Sequence, residues 1–138
     1  MKVYLDTSVV LRVLFRERNQ VRIWGKWDRG YSSSLWRTEA FRVVDRLRLG
    51  GDLSDRDVSE LAVQIELVHE TLGLVPLSEA ILRRASEAFP TVIGTLDALH
   101  LASALAIRET ENIDILLTHD QQLALAARAL GFQVNGID

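Results

Sequence analysis

Four acidic residues stand at places where a carboxylate needs a reason. Asp6 follows the apolar run "KVYL", and Asp120 lies two residues beyond "DILLT", ahead of an alanine-rich stretch. In open α/β sheets ligands gather beyond the carboxyl ends of strands, so both positions suit chemistry. Each suits a strand-to-helix turn or a helix cap equally well. Glu39 lies in "LWRTEAFRVVDRLRL", inside an apolar stripe of Trp36, Ala40, Val43 and Leu47. A carboxylate facing a core is costly unless it is paired or bound to a cation. Arg42, one turn on, is its ordinary local partner. Asp97 heads "TLDALHLASALAI", apolar almost all round except for Asp97, His100 and Ser103. Spaced by three, these form one polar seam on a helix otherwise suited to burial. Asp97 as a cap and His100 as a hydrogen-bonded core histidine are the ordinary readings; a carboxylate at the head of the seam is better explained by something polar in front of it.

Brought together, the four carboxylates would repel one another, and lysine occurs only at Lys2 and Lys26. A divalent cation resolves the conflict. Mg²⁺ or Mn²⁺ prefers hard oxygen ligands, takes one or two carboxylates directly and keeps waters through which others act. Such an ion activates water and stabilises charge on a phosphate, so no histidine–serine pair is needed. The chain has no cysteine, which removes disulfides, thiolate metal sites and cysteine nucleophiles together and suits a reducing compartment.

The elements that must position these acids alternate between short apolar runs and longer amphipathic ones. Strands are expected at 2–6, 31–34, 74–77, 114–118 and 132–134. Helices are expected at 8–16 behind a Thr7 or Ser8 cap, at 20–28 from the spacing of Val21, Trp24 and Trp27, and at 35–49 before Gly50 and Gly51. Further helices are expected from Ser54 to Gly73, from Ser78 to Phe89, over 95–110 and over 120–130. Strands alternating with helices of this length indicate an α/β fold with a parallel sheet covered on both faces. With 138 residues, 48% of them hydrophobic, and no repeat or linker, the whole of 1–138 is expected to be a single domain. The chain opens directly on a strand, and no apolar run approaches the ~20 residues of a membrane span, so a cytoplasmic protein is expected.

The net charge of −3 conceals an asymmetry: residues 1–50 carry eleven Lys or Arg against five Asp or Glu, whereas residues 51–138 carry five against fourteen. A basic portion on an acidic protein can steer a polyanion to one face. Arg22, Lys26 and Arg29 are the candidate guides, with Trp24 and Trp27 read as core or interface rather than as stacking platforms.

Four stretches, "YLDTSVVLRVL", "SSSLWRTEAFRVV", "LDALHLASAL" and "ILLTHDQQLALAARALGFQV", together give the chain its resemblance to the PIN-domain family, and within it to VapC-type ribonuclease toxins of type II toxin–antitoxin pairs. The family's four acidic positions are matched by Asp6, Glu39, Asp97 and Asp120, its hydroxyl position by Thr118, and the polar pair after the first aspartate by Thr7 and Ser8. His100 is often present in such chains and is not carried over as catalytic. The resemblance implies a three-layer α/β/α domain with a central parallel sheet of about five strands. It also implies an endoribonuclease that cuts single-stranded or loop RNA with Mg²⁺ or Mn²⁺, usually as a homodimer. Asp6, Glu39 and Asp97 would hold the main ion, and Asp120 would complete the site or hold a second. Ser8 and Thr118 would orient ligands from behind. The implied partner is a small VapB-like antitoxin that inserts a segment into the acidic groove, and operator DNA is bound only through it. Two other aspartate-dependent folds fail on single residues. A phosphoacceptor receiver needs a lysine near its last strand, and a haloacid-dehalogenase-type phosphatase needs an aspartate where Ser8 stands. The alternative from a different class is a non-catalytic PIN-like module that binds RNA or protein.

Overall fold

The computed structural model describes residues 1–137. Five parallel strands, β1 (Lys2–Leu5), β2 (Arg29–Ser33), β3 (Leu72–Val75), β4 (Ile115–Leu117) and β5 (Val134–Asn135), lie in the order β3-β2-β1-β4-β5. Val3, Tyr4 and Leu5 of β1 are all fully buried, as a central parallel strand covered on both faces must be. Val3 and Leu5 meet the layer of α1 (Thr7–Leu14), α2 (Leu35–Leu49) and α3 (Asp55–Thr71). Tyr4 and Leu116 meet α5 (Thr95–Thr110) and α6 (Gln121–Ala129). The short α4 (Glu79–Ala85) packs on α5 through Ile81 and Ala102. The architecture is the expected α/β/α sandwich.

The strand order determines where a ligand sits. From β1 the chain winds outward through β2 to β3 on one side, while β4 and β5 continue on the other. The crevice at the carboxyl ends of β1 and β4 is therefore a topological switch point. Leu5 pairs in register with Leu117, so the residues that follow, Asp6 and Thr118, emerge side by side.

Four expectations shift, and the strands expected at 31–34 and 132–134 lie at Arg29–Ser33 and Val134–Asn135. Residues 20–28 form tight turns rather than a helix, closed by i→i+3 bonds from Trp24 to Val21 and from Lys26 to Ile23. Asn19 and Gly25 both take positive φ, which interrupts a helix. The spacing of Val21, Trp24 and Trp27 serves packing against the α1–α3 layer instead. The strand expected at 74–77 is β3 at Leu72–Val75, which follows α3 without a loop and ends before Pro76, a residue with no N–H to donate. The helix expected to reach Phe89 stops at Ala85, where the Ser86 hydroxyl turns back to the Leu82 carbonyl at 2.8 Å.

Gly73 ends no helix; it lies in β3 against the ring of Tyr31. A Cβ at this position would stand 2.5 Å from Tyr31 Cδ1 and 2.6 Å from Cε1. Tyr31 is buried in the α5–α6 face and has little room to move. Gly73→Ala should destabilise the protein by about 1–3 kcal/mol through overpacking. Urea unfolding would read this as a lower midpoint with an unchanged slope.

Candidate metal centre

The four acids come from four different parts of the chain: Asp6 and Asp120 from strand-to-helix turns, Glu39 from α2 and Asp97 from the first turn of α5. Asp6 occupies the cap position of α1, yet its side chain caps nothing. Its Oδ2 instead accepts from the Ser8 hydroxyl at 2.7 Å and the Thr118 hydroxyl at 2.9 Å. Those hydroxyls in turn receive backbone N–H groups from the β4–α6 turn, His119 N to Ser8 Oγ at 3.1 Å and Asp120 N to Thr118 Oγ1 at 3.0 Å. One oxygen of Asp6 is thus pinned by two donors, themselves pinned by the backbone, while Oδ1 lies 3.6 Å from His100 Nε2.

Glu39 is held in the same manner. Its Oε1 accepts from the Thr7 hydroxyl at 2.7 Å and lies 2.6 Å from His100 Nε2. The expected intrahelical partner is engaged elsewhere, since Arg42 pairs with Asp45 at 3.2 Å. The buried stripe of α2 runs Trp36, Ala40, Val44, a four-residue spacing that leaves Val43 partly exposed and turns Glu39 toward α1 and α5.

Asp97 is the third residue of α5 rather than its cap; Gly94 holds the cap position and offers no side chain. Half-buried, Asp97 has its pKa raised to about 6 by desolvation, then by the charges of Asp120 and Asp6, with Glu39 adding to them and His100 opposing. Asp120 does cap α6, Oδ1 accepting from Leu123 N at 3.0 Å. Its charge nonetheless bears on Asp97, so it is both a cap and one wall of the crevice.

His100 is the residue whose place the sequence conceals. Fully buried, it bonds through Nδ1 to the Tyr4 hydroxyl at 2.9 Å and through Nε2 to Glu39. Burial pulls its pKa down, but the Glu39 hydrogen bond and the charges of Asp6, Glu39 and Asp97 leave it above the ordinary histidine value. It is the satisfied core histidine of the ordinary reading, and one of its two partners belongs to the acidic site. Ser103 drops out of the seam, its hydroxyl donating to the Leu99 carbonyl at 2.8 Å. The expected guide Arg29 opens β2 opposite Lys2, at the amino-terminal edge of the sheet, a strand's length from the acids. Arg22 and Lys26 precede it in the loop against the α1–α3 layer.

The donor set fits a hard divalent cation. It consists of carboxylate and hydroxyl oxygens, and among the described residues the only ion-pair partner of these acids is His100. Among the described residues no three acidic or imidazole groups are placed to hold an ion by themselves, so an ion at this site would have to keep much of its water.

The chain matches the model of the PIN domain over residues 3–129. It belongs to the PIN domain family. Among curated proteins this PIN domain is 28% identical over 137 residues to Ribonuclease VapC47 of Mycobacterium tuberculosis (strain CDC 1551 / Oshkosh), covering 94% of this chain and 93% of that one. Among solved structures it resembles VapBC2 from Rickettsia felis bound to a DNA fragment from their promoter, with a TM-score of 0.66 and 15% identity over the full length of both chains. It also resembles VapBC-1 from nontypeable Haemophilus influenzae, with a TM-score of 0.56 and 16% identity over 98% of this chain and 97% of that one. At these identities the two structures speak for the fold alone.

An acid whose pKa is higher in the folded than in the unfolded state destabilises the fold when ionised. For Asp97 that cost is present above pH about 6 and fades as the pH falls toward 3.8. In EDTA at pH 7.5, Asp97→Asn should raise stability by about 1–2 kcal/mol, a range reduced for partial exposure. The gain should vanish near pH 4. Urea unfolding at the two pH values checks both; a mutant less stable at pH 7.5 would make Asp97 an ordinary helix-end acid.

Proposed function

We propose that this PIN domain is a Mg²⁺- or Mn²⁺-dependent endoribonuclease acting on single-stranded or loop RNA, the toxin of a type II toxin–antitoxin pair. The observation that carries the reading is the convergence of Asp6, Glu39, Asp97 and Asp120 at the switch-point crevice with no lysine or arginine pairing them among the described residues. The similarity to Ribonuclease VapC47 supports it. Asp6, Glu39 and Asp97 would hold the ion, with Asp120 completing the set or holding a second. When bound, the ion supplies positive charge for the phosphate and an activated water.

The chain's own groups do the positioning. Ser8 and Thr118 fix one oxygen of Asp6 and leave the other to the ion. Thr7 does the same for Glu39. Asp97 and Asp120, at the amino ends of α5 and α6, sit where the helix dipole favours negative charge. RNA whose backbone can bend into the crevice suits this arrangement better than a stiff duplex.

As partner we propose a small VapB-like antitoxin, with operator DNA bound through it, and a homodimeric toxin; the two solved structures whose fold this chain shares are named as VapBC pairs. Among the described residues no helix is long and apolar enough to cross a membrane, and RNA cleavage would take place in the cytoplasm.

Cleavage-site mapping on total RNA tests the reading. The purified protein with Mn²⁺ or Mg²⁺ should cut selected RNAs, EDTA should abolish the cuts, and Asp6→Asn or Asp97→Asn should slow them by about a hundredfold or more. Binding of RNA without cleavage would favour a non-catalytic module, and full activity in EDTA would exclude metal dependence.

A further inference from the structure

His100 lies within hydrogen-bond distance of three side chains that come from three elements. Nδ1 is 2.9 Å from the Tyr4 hydroxyl on β1, and Nε2 is 2.6 Å from Glu39 Oε1 on α2 and 3.0 Å from Thr7 Oγ1 at the start of α1. A neutral imidazole has one donor and one acceptor nitrogen, and these partners decide which is which. A carboxylate only accepts, so the nitrogen facing Glu39 must carry the proton. A phenol hydroxyl can donate, and Nδ1, 2.9 Å away, is the acceptor that it meets on the ring. In the neutral ring both bonds are satisfied together when the proton is on Nε2 and Nδ1 carries the lone pair.

The consequence falls on Glu39. His100 and Thr7 both engage Oε1, and among the described residues nothing engages Oε2. This mirrors Asp6, whose Oδ2 is held by Ser8 and Thr118 while Oδ1 is not. The difference lies in the anchor. Asp6 is held by hydroxyls tied to the backbone, whereas one of the two anchors of Glu39 is an imidazole whose own orientation is set from the central strand. We propose that Tyr4 and His100 form a fixed relay in which His100, locked as the Nε2–H tautomer, holds one oxygen of Glu39 so that the other is presented to the divalent cation. His100 is a positioning residue, and the inference rests on the metal-dependent reading above. Partners of this kind behind a metal ligand are worth about 10–100-fold in metal affinity.

Two measurements that do not depend on RNA cleavage test it. ¹⁵N spectra of the histidine side chains at pH 8.5 should show His100 with Nε2 protonated and Nδ1 bare, and Tyr4→Phe should shift that balance toward Nδ1–H. Calorimetric titration with Mn²⁺ should show His100→Leu, folded by circular dichroism, binding about tenfold or more weakly than wild type, while His100→Gln, whose amide keeps a donor near Nε2, recovers most of the affinity. An Nδ1–H tautomer in the wild type overturns the proposal even if His100→Leu does not fold. So does a folded His100→Leu that binds Mn²⁺ like the wild type. A wild type that binds no Mn²⁺ removes the metal-dependent reading as well, which separates failure of the two.

Discussion

The structure is organised around repulsion between carboxylates. Asp6, Glu39, Asp97 and Asp120 are carried by different elements to one crevice, and burial together with the charges of the other three acids raises the Asp97 pKa to about 6. Like charges brought together in a partly buried crevice cost stability unless each finds an offset. A fold that tolerates this must spread the cost. Three of the four acids lie at helix amino ends: Asp6 before α1, Asp97 in the first turn of α5 and Asp120 at the cap of α6. There the unpaired N–H groups and the helix dipole offset part of the negative charge.

The second device is asymmetric anchoring. Asp6 and Glu39 each have one oxygen held by two donors, so each gives up half its hydrogen-bonding capacity to the scaffold and keeps half for the crevice. The anchors link elements far apart in sequence, β1 and α1 to α2, α5 and the β4–α6 turn. Thr7, His100 and Thr118, buried near the site, are therefore paired rather than stranded, which spares them a desolvation cost. Packing supplies the rigidity behind them: Tyr4, which holds His100, is a fully buried residue of the central strand.

Much of this was legible in the sequence because it is local. Asp6 and Asp120 were placed by the ends of apolar runs and Asp97 by its seam on a greasy helix, while Ser8 and Thr118 came only from the family resemblance. What was not legible depends on tertiary contact. Tyr4 and His100 are separated by 96 positions, and no periodicity joins them. Thr7 reads as a helix cap until Glu39 is seen beside it. The spacing of Val21, Trp24 and Trp27 is helical, yet the segment folds as turns because its apolar groups find the α1–α3 layer without a helix. The charge imbalance of the first fifty residues is real, but charge counting has no sense of direction, and Arg29 opens the far edge of the sheet.

The account stands on the claim that these carboxylates crowd one another until a divalent cation joins them. The most direct measurement is a ¹³C titration of the Asp97 side-chain carboxyl in the metal-free protein, repeated with saturating Mg²⁺. Burial and crowding together place the metal-free midpoint at about 6, and the ion's positive charge moves it down. A midpoint at the ordinary 3.8, unmoved by Mg²⁺, would contradict it.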